Sequence, residues 1–333
     1  MTQKAEQVSV IGAGAWGTAL AQSIANKGTH VTLWVREPEL AKIINTNHEN
    51  TTYFPGTSLS ENITATNELK TAAENDIILI VTPAQFVRTT LQDLKPFITD
   101  THMIVLCSKG IEMDSGGLMS NISQKILPNI PPAVLTGPNF AHEIARGEPA
   151  ATTLACSDPV RAQQLQKAIG SRVFRPYITD DLVGAQLAGA LKNVIAIACG
   201  IAHGMGLGES TRASLVTRGM GEIARLGHAM GAKYETFLGL CGIGDMMLTC
   251  SSEKSRNFSL GSALGRGQRL EDILKDRNSV TEGVYTAKAA VDLAHTHNVE
   301  MPICQAVHKC LNEGLRIDEA MQEMLNRPLK NER

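Results

Sequence analysis

The chain has 333 residues, the length of two ordinary domains, and 43% of them are hydrophobic, which is enough to form two cores. Lys and Arg number 31 against 33 Asp and Glu, and only 4% of the residues are aromatic. The charge balance argues against a nucleic-acid-binding protein, which would be basic, and the aromatic content is too low for a base-stacking surface.

The seven cysteines show neither a C-x-x-C pair nor the spacing of a zinc site, so the sequence predicts no metal centre. The N-terminal apolar run at residues 8–11 is far shorter than the core of a secretory signal, which has roughly 7–15 residues. Unpaired thiols and the lack of an export signal together predict a cytoplasmic protein.

The first half of the chain alternates β-branched runs with amphipathic stretches, which predicts parallel β-α-β units in a doubly wound, Rossmann-type α/β sheet. Strands are predicted at residues 8–11, 31–35, 77–81, 103–106, 133–135, 151–156 and 173–177. Helices are predicted at residues 18–27, 39–45, 85–94, 118–127 and 159–169.

The alternation of predicted strands and helices ends at Asp180. The pair Asp180 and Asp181 is typical of a helix N-terminus, where carboxylates cap N–H groups and meet the positive end of the dipole. From there to the end of the chain the periodicity is helical, with glycine-containing loops and no convincing strand. We therefore predict a Rossmann-like domain at residues 1–179 and an all-helical domain at residues 180–333.

The segment at residues 182–202 is apolar and long enough to cross a bilayer, but Lys192 and Asn193 lie at its centre. A lysine at that depth costs about 2.5–3.5 kcal/mol. We therefore predict a buried helix and no integral membrane segment.

A glycine-rich turn follows the first predicted strand and precedes the first predicted helix. In such a G-x-G-x-x-G turn Gly12 allows the sharp bend, Gly14 lets the backbone approach a pyrophosphate, and Gly17 lets helix and strand pack closely. Ala15 and Trp16, within this turn, are expected to contact the same cofactor. The alternative is a purely structural turn, but the strand-turn-helix context favours dinucleotide binding.

The second strand ends in Arg36, where an NAD site usually carries a carboxylate for the ribose hydroxyls. A guanidinium at this position suits a 2′-phosphate, so we predict a preference for NADP over NAD. The alternatives are a solvated surface arginine, or a Glu37 that reaches the ribose and favours NAD.

Lys192 is surrounded on its helix face by small or apolar residues: Ala188, Gly189, Ile195 and Ala196. Burial would lower the pKa of its ammonium group and prepare it for proton transfer. A structural lysine neutralised by a buried carboxylate is an equally good interpretation of this residue alone.

Seven fragments of the sequence, in order, resemble the bacterial NAD(P)-dependent glycerol-3-phosphate dehydrogenase family. They are residues 10–20 (VIGAGAWGTAL), 108–110 (SKG), 137–141 (GPNFA), 191–193 (LKN), 244–245 (GD), 255–257 (SRN) and 282–283 (EG). The resemblance implies reversible NAD(P)H-dependent reduction of dihydroxyacetone phosphate to sn-glycerol 3-phosphate, a precursor of glycerophospholipids. It also implies a metal-free cytoplasmic enzyme, commonly a homodimer, acting on a small phosphorylated triose or glycerol substrate.

The resemblance also implies roles for individual residues. Lys192 resembles the family's general acid/base, with Asn193 and Asp245 beside it, and Lys109 resembles a residue that touches both cofactor and substrate. The other positions expected to contact substrate are Gly137, Asn139, Ser255, Arg256 and Asn257. The other positions expected to contact cofactor, besides the glycine turn and Arg36, are Ala141, Arg256, Val280 and Glu282.

The predicted chemistry also fits the residues by themselves. Hydride addition to a ketone leaves an alkoxide that needs a proton and a nearby positive charge, and an ammonium at Lys192 supplies both. Asp245 can hold that ammonium, although alone it also reads as a helix cap. Ser255, Arg256 and Asn257 offer donors to a phosphate, although alone they read as a helix N-cap beside a surface arginine.

Two positions depart from the family pattern, because Asn139 replaces an expected Ser and Trp16 occupies a variable place in the pyrophosphate turn. The nearest alternative enzyme class is the β-hydroxyacid and 6-phosphogluconate dehydrogenases, which place an Asn one turn after the catalytic Lys. Ala196 stands there in this chain, which disfavours that class. A nicotinamide-sensing regulator without turnover is the alternative outside enzymes, but it has no use for Lys192, Asp245 and Arg256 together.

Overall fold

The computed structural model describes residues 7–275, 281–329 and 331, and its strands form one eight-stranded sheet. The order across the sheet is β3-β2-β1-β4-β5-β6-β7-β8, and neighbours are parallel except for the antiparallel pair β6 and β7. The strands are β1 (Val8–Ile11), β2 (Val31–Trp34), β3 (Ile63–Thr66), β4 (Ile77–Ile80), β5 (Met103–Leu106), β6 (Ala133–Thr136), β7 (Ala150–Ala155) and β8 (Phe174–Thr179).

The central strands β1 and β4 are buried along their whole length and almost entirely apolar, with Ser9 the one polar residue in them. Every residue of β1 and of β4 is buried, which is the pattern of a parallel sheet inside an α/β domain. β1 lies between β2 and β4, so the winding direction reverses beside it, and open sheets bind ligands at the carboxyl ends of such strands. The predicted fold class is confirmed.

Two features of the sheet differ from the prediction. β3 was not predicted, because its apolar residues alternate with Thr64 and Thr66 and its flanks are polar. β7 runs antiparallel to β6, whereas strand-helix alternation predicted parallel pairing throughout. The helix between these strands, Ala141–Ala145, is only about 8 Å long at ~1.5 Å per residue, too short to return the chain for a parallel start.

The helices of the first half lie between successive strands. They are α1 (Ala15–Ala25), α2 (Pro38–Asn47), α3 (Leu69–Ala72), α4 (Val87–Leu94), α5 (Met119–Ile126), α6 (Ala141–Ala145) and α7 (Pro159–Ile169). The first compact unit comprises the described residues up to Lys109 together with Gly117–Gln186, and the second comprises Gly110–Gly116 and the described residues from Leu187 onward. The sequence division into residues 1–179 and 180–333 stays a prediction.

The described part of the second unit contains helices and no strand, as predicted for an all-helical domain. The helices of the second half are α8 (Leu182–Gly204), α9 (Glu209–Ala229), α10 (Tyr234–Phe237), α11 (Asp245–Cys250), α12 (Arg256–Gly265), α13 (Leu270–Lys275), α14 (Glu282–Thr296), α15 (Pro302–Asn312) and α16 (Ile317–Leu325).

Helix α8 carries the apolar segment noted in the sequence. The Asp181 carboxylate accepts a hydrogen bond from the Gly184 N–H (2.8 Å), which confirms the predicted start signal. By length and composition α8 could cross a membrane, but 89% of its most apolar stretch is buried inside the fold, as in a core helix.

Helices α8 and α12 pack with their backbones in near contact. A Cβ atom built at Gly200 would lie 2.1 Å from the Phe258 carbonyl oxygen, and one at Gly261 would lie 2.1 Å from the Ile197 carbonyl oxygen. Only glycine allows this approach, which positions the N-terminus of α12 beside the middle of α8.

Candidate functional site

The turn after β1 has the geometry that its three glycines predict. Gly12 has a φ of +114°, which side-chain-bearing residues rarely adopt, and a Cβ atom there would lie 3.2 Å from the Val81 backbone. A Cβ atom at Gly17 would lie 1.8 Å from the Gly12 carbonyl oxygen. Both positions therefore require glycine for close packing of the strand, the turn and α1.

Gly14, by contrast, borders open space. A Cβ atom there would meet nothing within 4 Å, and Gly14 is the N-cap of α1, whose first turn contains no acidic residue. The N–H groups of the first helical turn, beginning at Ala15 and Trp16, have no partners within the helix and carry its positive dipole end. This arrangement suits an anionic group that comes close to the backbone.

Trp16 packs edge-on against Phe174, with the ring centroids 6.5 Å apart. Its indole N–H is buried and has no hydrogen-bond partner within the described residues. Buried donors usually form a hydrogen bond, so the unpaired indole N–H of Trp16 is consistent with a site whose ligand supplies an acceptor.

Arg36 follows β2 and is exposed, and it forms no ion pair within the part of the chain that the structure describes. Glu37 is the exposed N-cap residue of α2 and makes no side-chain capping bond. The guanidinium is thus available to a phosphate.

Four predicted residues lie together after β5 and β6. Lys109 donates a hydrogen bond from Nζ to the Gly137 carbonyl oxygen (2.9 Å). A Cβ atom at Gly137 would lie 2.8 Å from the Thr152 hydroxyl oxygen, so a side chain does not fit. Asn139 donates from Nδ2 to the Ala151 carbonyl oxygen (3.1 Å), and Ala141 begins α6. The structure therefore joins these positions at the carboxyl edge of the sheet.

A buried lysine occupies the second unit. The Lys192 side chain on α8 donates from Nζ to Asp245 Oδ1 (2.5 Å) and to Thr249 Oγ1 (2.6 Å) on α11. Lys192 is 6% exposed and Asp245 is 1% exposed. A charge this deeply buried is stable only when it is paired and hydrogen-bonded, and Asp245 provides the opposite charge. The group combines a proton donor with a fixed positive charge.

The position of Asp245 depends on a close backbone approach. A Cβ atom at Gly242 would lie 2.1 Å from the Phe237 carbonyl oxygen, so only glycine lets the segment Leu240–Gly244 turn into α11. Asp245 is then the first residue of α11 rather than its N-cap, which corrects the capping interpretation. Thr249 was not predicted from the sequence. Its spacing of four residues from Asp245, which places both on one helix face, was the available signal.

The start of α12 contacts the same region of α8. Ser255 is the N-cap, and its hydroxyl accepts from the Phe258 N–H (3.2 Å). Asn257 donates from Nδ2 to Asn193 Oδ1 (2.9 Å) and accepts at Oδ1 from the Gly283 N–H (3.0 Å). Both side chains are buried, whereas Arg256 between them is exposed. Of the three side chains predicted to bind phosphate, Arg256 is therefore the exposed one.

The remaining predicted positions lie at or before α14. Glu282 is its first residue and is half-buried, next to the Gly283 that binds Asn257. Val280, a predicted cofactor contact, lies outside the described residues.

Two family models match most of the chain. The family model "NAD-dependent glycerol-3-phosphate dehydrogenase N-terminus" matches residues 7–162, and the corresponding "C-terminus" model matches residues 181–322. These matches decide against the β-hydroxyacid and 6-phosphogluconate dehydrogenase alternative.

Individual relatives match the chain over its length. A glycerol-3-phosphate dehydrogenase [NAD(P)+] of Parvibaculum lavamentivorans is 50% identical and covers 100% of both chains. The protein of the same name from Rhodospirillum rubrum is 49% identical over 100% of this chain and 95% of its own. A crystal structure of glycerol-3-phosphate dehydrogenase from Coxiella burnetii is 36% identical, covers 97% of this chain and 99% of its own, and superposes with a TM-score of 0.92. The chain therefore belongs to the NAD-dependent glycerol-3-phosphate dehydrogenase family.

Proposed function

We propose that this protein catalyses the reversible NAD(P)H-dependent reduction of dihydroxyacetone phosphate to sn-glycerol 3-phosphate, which supplies glycerophospholipid synthesis. The observation that carries the proposal is the buried group of Lys192, Asp245 and Thr249 in a chain of this family. A purely structural ion pair would explain the pairing of Lys192 but not its occurrence with the glycine turn and Arg256.

Lys192 acts as the general acid in the direction of reduction. Its ammonium stabilises the negative charge that develops on the substrate carbonyl oxygen and then transfers a proton to it. Asp245 and Thr249 hold Nζ in one place through hydrogen bonds of 2.5 and 2.6 Å. Asn193, whose Oδ1 accepts from Asn257, is oriented by that bond and lies next to Lys192 in the chain.

The dinucleotide is held by the turn after β1. When bound, the reduced nicotinamide supplies the hydride for the reaction. Gly12, Gly14 and Gly17 shape the turn, and the first N–H groups of α1 bind the pyrophosphate. The further cofactor contacts that we propose are Ala15, Trp16, Arg36, Lys109, Ala141, Arg256, Val280 and Glu282.

The substrate phosphate is held at the start of α12. The Arg256 guanidinium offers a charge-assisted donor pair, and the N-terminal N–H groups of this ten-residue helix, which begins at Arg256 after the N-cap Ser255, add positive potential. The remaining substrate contacts that we propose are Lys109, Gly137, Asn139, Lys192, Asp245 and Asn257.

Arg36 supports a preference for NADPH, with NADH still used, because its exposed guanidinium can bind the 2′-phosphate. We also propose that the enzyme is a cytoplasmic homodimer, as the family resemblance implies.

The direct test is oxidation of NADPH, followed at 340 nm, with dihydroxyacetone phosphate as substrate and unphosphorylated dihydroxyacetone as the control. Turnover with the phosphorylated substrate and weak turnover with the control are expected. Binding of NADPH without oxidation would instead favour a nicotinamide-sensing regulator, and turnover with both substrates alike would contradict the phosphate site.

A further inference from the structure

Asn50 is a fully buried amide in the loop that follows α2. The helix ends at Asn47, and His48 takes a left-handed conformation (φ 48°) that turns the chain. The Phe54 N–H then donates to the Asn50 carbonyl oxygen (2.8 Å), and Phe54 is itself buried. The loop thus carries one polar side chain into the core of the first unit, although no motif marks that residue.

The Asn50 side chain bonds to the glycine turn. Its Nδ2 donates to the Ala13 carbonyl oxygen (2.9 Å) and to Thr18 Oγ1 (2.8 Å), and the Thr18 hydroxyl donates to the same carbonyl (3.2 Å). Its Oδ1 accepts from the Tyr53 N–H (3.2 Å). Every polar atom of this side chain is therefore engaged, which fixes the orientation of the amide.

These bonds determine which way the next peptide N–H points. Ala13 is joined to Gly14 by a trans peptide, in which the carbonyl and the following N–H point in opposite directions. Asn50 and Thr18 hold the Ala13 carbonyl on the buried side of the turn. The Gly14 N–H is consequently directed away from them, and it has no hydrogen-bond partner within residues 7–275, 281–329 and 331.

We propose that Asn50 is a positioning residue of the dinucleotide site, which orients the Gly14 N–H toward a pyrophosphate oxygen. The inference rests on the cofactor site of the proposed function. Asn50 itself touches no cofactor in this scheme. It acts through the Ala13 carbonyl, and the open space beside Gly14 is where the anion approaches.

Asn50 could instead serve only to anchor the loop after α2. An isosteric variant distinguishes this structural role from the proposed positioning role. Asn50→Asp keeps the shape and the acceptor for Tyr53, removes both donors and adds a negative charge. The loop then retains one anchor, while the Ala13 carbonyl loses the bond from Asn50 and keeps only the bond from Thr18. Thr18→Val removes the hydroxyl that completes the same network and serves as a second variant.

Asn45 offers a matched control in the same region. It donates from Nδ2 to the Ala65 carbonyl oxygen (2.8 Å) and accepts at Oδ1 from the Ala65 N–H (2.7 Å). Asn45→Ala therefore removes two side-chain-to-backbone bonds at β3 and leaves the glycine turn untouched.

The experiment measures the Kd of NADPH by fluorescence titration, together with Tm, kcat at saturating NADPH and the KM of dihydroxyacetone phosphate. Asn50→Asp is expected to weaken NADPH binding by at least about three- to tenfold, because it removes the buried hydrogen bond to the Ala13 carbonyl and places a negative charge beside the turn. Thr18→Val, which adds no charge, should also raise the Kd of NADPH. Both kcat at saturation and the substrate KM should stay within about twofold of wild type, because the catalytic groups are not altered.

The proposal is overturned if both variants bind NADPH as tightly as wild type, or if Asn45→Ala weakens NADPH equally. Each of these results leaves the proposed function standing, because the wild type still binds and oxidises NADPH. A wild-type protein that binds no dinucleotide overturns the proposed function and this role of Asn50 together.

Discussion

Arg256 is the exposed residue between two buried ones at the start of α12, so its loss should affect a ligand more than the fold. A hydrogen bond to a charged group is worth about 1.5–3 kcal/mol, which corresponds to roughly ten- to a hundredfold in binding. We predict that Arg256→Ala raises the KM of dihydroxyacetone phosphate by this factor. The KM of unphosphorylated dihydroxyacetone should change far less.

The control for this variant is Arg269→Ala, which removes an exposed arginine paired with Glu271 (2.6 Å) in the same unit. Steady-state kinetics give the KM of both substrates for each variant. Equal losses for the two substrates would show that Arg256 serves the fold or the cofactor instead.

The proposed role of Arg36 in cofactor preference can be tested with a single substitution. We predict that Arg36→Ala weakens NADPH by roughly ten- to a hundredfold, the value of a charge-assisted hydrogen bond, and leaves NADH nearly unchanged. Paired measurements of the two Kd values make NADH the internal control. A wild-type enzyme that prefers NADH, or a variant that loses both cofactors alike, would contradict this role of Arg36.

Between elements, Glu222 links helices α9 and α15. Its carboxylate accepts from the Ile303 N–H (2.7 Å) and the Cys304 N–H (3.2 Å), so it caps the start of α15 from another helix. The side chain is 1% exposed. Burial raises the pKa of Glu222 from 4.5 to about 7, although the two N–H bonds oppose the shift.

This raised pKa makes the stability depend on pH. Between pH 4.5 and 7 the folded state binds more protons at Glu222 than the unfolded state does, so the free energy of unfolding falls as pH rises. Relative to Glu222→Gln, wild type should lose up to roughly 3 kcal/mol across this range and nothing further above it. Urea unfolding of both proteins from pH 4.5 to 8 measures the difference. A constant difference would contradict a buried, titrating Glu222.

The strands and helices that were predicted correctly are those whose own residues show a clear hydrophobic pattern. The apolar strands β1, β4 and β5 and the helix α7 follow directly from the sequence pattern. β3 was missed because Ile63–Thr66 is half polar, and it becomes a strand only through pairing with β2. Pairing direction is also non-local, which is why the reversal at β7 was not predicted.

At the scale of the whole molecule, the residues of the proposed site belong to two compact units. The glycine turn, Lys109 and Gly137 belong to the first, and Lys192, Asp245 and Arg256 belong to the second. The sequence indicated these positions because each carries a motif or an unusual residue in an apolar context. Thr249 and Asn50 carry no motif, although Thr249 lies four residues after Asp245. Their proposed roles depend on hydrogen-bond partners that only the folded chain brings to them.

The central claim is that Lys192 is the acid/base of the reaction, and Lys192→Met tests it most directly. Lys288→Met is the control, because it removes an exposed lysine paired with Asp292 (2.9 Å) on α14. Single-turnover and steady-state rates with NADPH and dihydroxyacetone phosphate should show kcat lowered by roughly 10²–10⁴ in Lys192→Met, with the Kd of NADPH unchanged. The control should retain wild-type rates. A folded Lys192→Met protein with wild-type kcat would contradict the account.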